Sequence, residues 1–254
     1  MMEILSYGGG IQTVALAILN VAGTVEPRAS HAVFADPGSE MPGTYEHIDI
    51  MKRWLAKRGM EFVTVRNEKD GPLEQYVRER STVIPVQWNG GMGRRQCTSK
   101  WKVEPIERWL RAQHAETAVI QLGISLDEFH RMKANQKPQY TNRHPLIDLR
   151  LTRRDCRRII EEAGLPVPPK SACFFCPFHR NSTWQNLAVF EPELFEHAAE
   201  LEDAINQRKD YNGQHQVYLS NKRRPLRTAF SPHQYPLPLD VPEPDDLCGG
   251  HCMV

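Results

Sequence analysis

The stretch Met2-Glu3-Ile4-Leu5-Ser6-Tyr7-Gly8-Gly9-Gly10-Ile11-Gln12-Thr13 decides the fold. Met2–Tyr7 is a short, mostly apolar run that stops at a glycine, as a buried strand does. From Ile11 to Val21 the chain is apolar nearly all round, with Ala15 and Leu19 at helical spacing, and reads as a buried helix. Between them, three consecutive glycines let the backbone approach a ligand closely and leave N–H groups free at a helix N-terminus. Orphan donors and the helix dipole both favour an anion there. Ser6 and Thr13 add hydroxyls, and a plain tight turn needs fewer glycines. The loop lacks the Gly-Lys-Ser/Thr ending of a Walker A loop, and Thr13 stands where a dinucleotide fingerprint has its third glycine.

Working outward, residues 30–35 (SHAVFA) read as a second strand that ends at Asp36-Pro37-Gly38. Tyr45–Lys57 is an amphipathic helix with Ile48, Met51, Trp54 and Leu55 on one side, and Glu61–Arg66 alternates as a third strand. Strand, helix, strand, helix, strand is the pattern of a parallel sheet with crossover helices. Leu73–Arg80 follows as a short helix and Pro85–Gly93 as a loop. Lys100–Gln113 reads as a helix, with Pro105 either kinking it or marking its first turn. Thr117–Leu122 is a fourth strand ending at Gly123. Thr152 caps a helix to Ala163, with Asp155 placed for a capping box and Gly164 as the stop. Ser182–Phe190 and Pro192–Arg208 are further helices, and the proline-rich run from Pro225 to Pro244 reads as an extended arm. The expected fold is α/β: a Rossmann-like parallel sheet with helices on both faces, plus a helical C-terminal part and a proline-rich tail. Residues 1–180 would form the nucleotide-binding domain, with 181–254 an extension packed on it.

Of 254 residues, 40% are hydrophobic and 25% charged, an ordinary soluble composition. A net charge of +1 does not support nucleic-acid binding by itself. The basic runs Arg153, Arg154, Arg157, Arg158 and Lys222, Arg223, Arg224 read as a solvated helix face and a loop. No apolar stretch reaches the ~20 residues that span a bilayer. No secretory signal precedes the first strand, so a cytoplasmic protein is expected. Its six cysteines then read as thiols or metal ligands rather than disulfides. Cys173-Phe174-Phe175-Cys176-Pro177 spaces two thiolates to share one metal, and its proline-flanked loop disfavours a thioredoxin-type pair. Cys156, beside Ile159 and Ile160 on its helix, reads as a core-edge thiol. The tail Cys248-Gly249-Gly250-His251-Cys252 offers a reactive thiol, a metal ligand, or both.

Several segments together resemble the phosphoadenosine-phosphosulfate (PAPS) reductase family of the PP-loop ATP-pyrophosphatases, the adenine-nucleotide α-hydrolase-like class. They are the glycine loop, Phe34 through Thr44, Cys97 through Pro105, Gly123 through Arg131, and Pro145-Leu146-Ile147-Asp148. The resemblance runs in order over residues 2 to 180. It implies an adenine nucleotide, ATP or a sulfonucleotide, held by Ser6, Tyr7, Gly8, Gly9, Gly10, Gln12, Thr13, Asp36, Gly123 and Arg131. It implies a 4Fe–4S cluster, with zinc as the alternative, on Cys97, Cys173 and Cys176, and Cys252 as a fourth ligand from the tail. Cys248, with His251 beside it, resembles the family's nucleophile for the sulfonate sulfur. Lys100 and Lys102 would help polarise the bound sulfonate or phosphate. Two positions depart from the pattern: Gln12 stands where many PP-loop enzymes carry an aspartate, and Gln96 replaces the first cysteine of a Cys-Cys pair.

Three activities are compatible with these residues. The first is sulfur redox chemistry on a sulfonucleotide beside a cluster, with a thiol or electron-donor protein as partner. The second is ATP-dependent adenylation or thiolation of a nucleic-acid or small-molecule acceptor. The third is a zinc-stabilised nucleotide-binding module without turnover. The oligomeric state is left open.

Overall fold

The structure, a computed structural model, describes residues 1–208 and 215–231. Cys248, His251 and Cys252 lie outside the described residues. The chain divides into two compact units: Met1–Asn67 with Lys100–Ala172, and Glu68–Ser99 with the described residues from Cys173 onward.

The first unit is built on five strands, β1 (Met2–Ser6), β2 (His31–Asp36), β3 (Glu61–Arg66), β4 (Ala118–Leu122) and β5 (Tyr140–Arg143). All pair in parallel, in the order β3-β2-β1-β4-β5. Five helices accompany them: α1 (Ile11–Val21), α2 (Pro42–Ala56), α3 (Glu104–Ala112), α4 (Pro145–Asp148) and α5 (Arg153–Glu162). Successive strand residues point to opposite faces. Leu5, Ala32 and Phe34 therefore pack with Leu16, Met51, Leu55 and Ile160, while Ile4, Val33, Ala35 and Ile120 pack with Ile106 and Leu110. Helices thus cover both faces of the sheet, and the fold is the expected Rossmann-like α/β architecture. Helix α1 is buried along nearly its whole length, packed against α5 as well as β1, which explains its apolar character on every side.

The strand order reverses at β1. The chain leaves β1 for β2 on one side and later returns to β4 on the other. In open α/β sheets, ligands sit beyond the C-terminal strand ends at such a switch point. The glycine loop after β1 and Gly123 after β4 occupy that place.

Some boundaries differ from those the sequence suggests. Helix α2 begins at Pro42, a residue suited to a first turn because it lacks only an N–H that would be orphaned anyway. Helix α3 starts at Glu104, after a π-helical turn at Ser99–Val103, so Pro105 marks its first turn rather than a kink. Strand β5 was unexpected, because Tyr-Thr-Asn-Arg is polar and occupies the sheet edge. Thr152 and Asp155 form the expected reciprocal capping box at α5.

The second unit holds helices at Leu73–Glu79, Asn181–Phe190, Pro192–Arg208 and Leu226–Ala229, with Phe175, Trp184, Leu187 and Leu201 buried. Two corrections arise here. The segment expected as a plain loop from Pro85 contains an antiparallel hairpin, Gln87–Trp88 with Gly91–Met92, turned at Asn89-Gly90, a favoured dipeptide for tight hairpins. The expected extended arm opens instead with the short helix Leu226–Ala229, for which Pro225 is the N-cap.

Candidate functional site

The glycine loop ends in a helix N-terminus with no side chain on it. Gly10 is the N-cap of α1, in extended conformation; no side-chain cap is made and no acidic residue lies in the first turn. Gly9 has φ +76°, and a Cβ there would come within 3.1 Å of Thr44 Cγ2, so both conformation and space require glycine. At Gly10 a Cβ would meet nothing within 4 Å, so the space beside the helix end is open. Gly123 closes the other wall. A Cβ at that position would lie 2.6 Å from Thr13 Cγ2 and 3.0 Å from the Thr13 backbone nitrogen. Glycine there lets α1 seat against the end of β4.

The surrounding side chains hold these loops rather than reach into the opening. The buried Asp36 carboxylate accepts from Gly38 N–H at 2.8 Å and Tyr45 Oη at 2.8 Å, and from Arg66 Nε and Nη2 at 2.9 and 2.7 Å. Burial and Asp36 together push the Tyr45 phenol well above its ordinary pKa, which keeps it a donor. Glu40, fully buried, pairs with Lys102 Nζ at 3.0 Å. Ser171 Oγ donates to the Gly8 carbonyl at 2.5 Å and lies 3.3 Å from Glu40 Oε2, tying residue 171 to the loop.

A second network joins the start of α1 to the segment after β4. Gln12 Nε2 donates to Glu128 Oε2 at 3.2 Å, and its amide oxygen accepts from Arg153 Nη1 at 3.2 Å. Arg131 Nη1 donates to the same Glu128 oxygen at 2.6 Å. Gln12 therefore stands between a carboxylate and a guanidinium, where its two-faced amide serves both; an aspartate would repel Glu128. Glu128 Oε1, Ser125 Oγ and Thr44 Oγ1 are buried with no hydrogen-bond partner among the described residues. Such atoms are costly to leave unmet and concentrate at functional sites.

Of the residues expected to bind nucleotide, Gly8, Gly9, Gly10, Thr13 and Gly123 converge at this corner, and Ser6 ends β1 beside Val33 and Leu122. Thr13 Oγ1 donates back to the Gly10 carbonyl at 3.0 Å. Tyr7 is a core side chain, set edge-on to Phe62 with ring centroids 5.1 Å apart. Asp36, Gln12 and Arg131 act through the networks just described. Lys102, expected to polarise the ligand, is engaged with Glu40. Glu40, Glu128, Arg153 and Ser171 were missed as site residues, because their partners lie far away in sequence.

In the second unit, Cys173 and Cys176 share a tight turn: Cys176 N–H donates to the Cys173 carbonyl at 3.0 Å, and His179 N–H to the Cys176 carbonyl at 2.9 Å. The Arg95 guanidinium lies 5.6 Å from the Phe178 ring centroid, and the next residues, Gln96 and Cys97, both donate backbone N–H to Val83 O. Cys97, Cys173 and Cys176 are half-buried. Among the described residues, no group of three or more His, Cys, Asp or Glu side chains is arranged to hold a metal ion. The expected fourth ligand, Cys252, and the expected catalytic pair, Cys248 and His251, lie outside the described residues. Cys156 is fully buried, and its thiol pKa is pushed up to about 12 by burial, as a core thiol's would be.

The phosphoadenosine phosphosulfate reductase domain model matches residues 3–161, which take in all five strands of the first unit except Met2, its glycine loop and the Gln12–Glu128 network. The chain belongs to that family. No curated protein matches it significantly. Family and fold together assign the chain a nucleotide-binding, PAPS-reductase-like function. Among the described residues, no helix is long and apolar enough to cross a membrane.

Proposed function

We propose that the chain holds an adenine nucleotide with an anionic group at the N-terminus of α1, and acts on sulfur carried by that nucleotide. The observation that carries this reading is the helix end at Gly10, which has no side-chain cap, no acidic residue in its first turn and open space beside the Gly10 Cα. In this reading Gly8, Gly9, Gly10 and Thr13 supply the cradle, and Ser6 and Gly123 its walls. Asp36, Gln12 and Arg131 keep the neighbouring loops in place.

In the proposed reaction the Cys248 thiolate, with His251 as its proton partner, attacks the sulfonate sulfur of a sulfonucleotide. The sulfur–oxygen bond to the nucleotide breaks, the nucleotide phosphate leaves with the electron pair, and an S-sulfocysteine remains. A thiol of a donor protein then attacks Cys248 Sγ. Sulfite leaves with the electrons of the sulfur–sulfur bond, and a second donor thiol resolves the mixed disulfide. An iron–sulfur cluster or zinc on Cys97, Cys173, Cys176 and Cys252 belongs to the same reading, supported by the C-x-x-C turn. The described residues alone do not fit a metal.

The test incubates anaerobically purified protein with adenine sulfonucleotides and a dithiol donor, and with ATP, and measures sulfite and pyrophosphate. Sulfite release that Cys248→Ser abolishes while nucleotide binding persists is the expected result. Acceptor-dependent pyrophosphate release from ATP, with no sulfite, would replace the reading with ATP-dependent thiolation or adenylation.

A further inference from the structure

The segment after β4 carries a feature that nucleotide binding does not use. Leu126–Arg131 is a 3₁₀ segment kinked at Glu128, and it carries Leu126 and Phe129, with Met132 at its C-terminal end. They are 37, 62 and 46% exposed. Leu126 N–H donates to Leu151 O at 2.8 Å and Arg153 N–H to Asp127 Oδ1 at 2.9 Å, which lays the segment around residue 150 alongside the turn. That segment adds Leu149, 39% exposed. Four of the seven large hydrophobic residues exposed among the described residues thus lie on these two adjoining segments.

The charge around them is lopsided. Residues 126–158 hold nine Lys and Arg against four Asp and Glu; Lys137, Arg143 and Arg158 pair with Glu107, Glu3 and Glu162 outside the stretch, which leaves six cations against four acids. Three of those four acids are already engaged: Glu128 with Gln12 and Arg131, Asp127 with the Arg153 amide, and Asp155 in the capping box. Asp148 is the exposed one that remains. Lys133, Arg150, Arg154 and Arg157 are exposed cations on the same stretch.

We propose that this face binds single-stranded nucleic acid, with an unpaired base stacked on Phe129 and the phosphate backbone on Lys133, Arg150 and Arg154. A protruding aromatic ring rimmed by cations matches the π-face of a base and its adjoining phosphates, and a duplex hides that face inside its stack. An acidic peptide would meet the cations but gains little from a projecting ring. The face stands beside the glycine-loop corner, since Gln12 bonds both Glu128 and Arg153. It is independent of which reaction runs there.

Fluorescence anisotropy on the full chain tests this, using a labelled single strand of about 12 nucleotides, a size such surfaces accommodate, and the corresponding duplex. The single strand is expected to bind more tightly than the duplex. Phe129→Ala should weaken it about tenfold and Phe129→Tyr should not. The pair Lys133→Gln with Arg154→Gln should lower the salt-dependence slope by about 0.7 per charge removed. Melting curves and nucleotide titrations of these variants should match the parent, because the substituted side chains lie at the surface outside the glycine loop. The proposal is overturned if the single strand does not bind at low salt, if Phe129→Ala binds it like the parent, or if poly-glutamate competes equally well.

Discussion

Asp36, Glu40 and Glu128 in the first unit and Glu202 in the second are all buried carboxylates, but they are compensated differently. In the first unit each has a cation: Arg66, Lys102 and Arg131. Glu202 is held mainly by backbone, accepting Leu219 N–H at 2.7 Å and Leu226 N–H at 2.9 Å. Burial outweighs those two amides and raises its pKa to about 7. The difference teaches where each unit is vulnerable. Ion pairs hold the loops around the glycine loop, whereas burial makes the ionised form of Glu202 costly to the fold despite its two amide donors.

The largest expected effect comes from breaking the pairing in the first unit. Lys102→Met leaves Glu40 buried without its cation and should destabilise the protein by about 3 kcal/mol. Adding Glu40→Gln should recover most of that loss, a coupling that a double-mutant cycle in denaturant melts would measure. Gly123→Ala attacks the same corner by steric means. Forcing Thr13 aside should cost about 2–3 kcal/mol and weaken nucleotide binding, as titration calorimetry would show.

A smaller effect sharpens the second half of the comparison. A carboxyl whose folded pKa is raised stabilises the fold fully below its unfolded pKa, and that stability is lost as pH rises through the folded value. For Glu202 the window runs from its ordinary 4.5 up to about 7. The parent should therefore lose about 2 kcal/mol relative to Glu202→Gln between pH 5 and pH 8. Taking the difference between the two proteins removes the opposite contribution of His47 and His144, whose pKa values burial lowers. The smallest effect is local: Thr152→Ala removes one side of the capping box and should cost about 1 kcal/mol in a thermal melt.

How legible this was depended on the range of the interaction. Strands β1 to β4 and their helices followed from periodicity, and the capping box followed from two residues three apart. Strand β5 did not, because an edge strand of Tyr-Thr-Asn-Arg has no apolar face to announce it. The Gly8–Gly10 loop could be read directly, since a helix N-terminus is made by contiguous residues. Glu40 with Lys102, and Gln12 with Glu128 and Arg153, pair across 62 to 141 positions, and nothing local marks such partners. Gln12 stands where many PP-loop enzymes carry an aspartate. The structure gives it a physical reason, because an amide can serve Glu128 and Arg153 together.

The central claim, that the helix end at Gly10 receives the nucleotide's anion, is tested most directly by Gly10→Asp. The backbone at Gly10 is already in the extended conformation of an N-cap, and a Cβ there has free space. Aspartate should therefore cap α1 and keep or raise the melting temperature. It should also occupy the free N–H groups and set a negative charge where the ligand's anion belongs. Calorimetric titration with an adenine sulfonucleotide and with ATP is expected to show binding to the parent and at least a tenfold loss in this stable variant, from charge and lost donors together. Equal affinity in the two proteins would contradict the account.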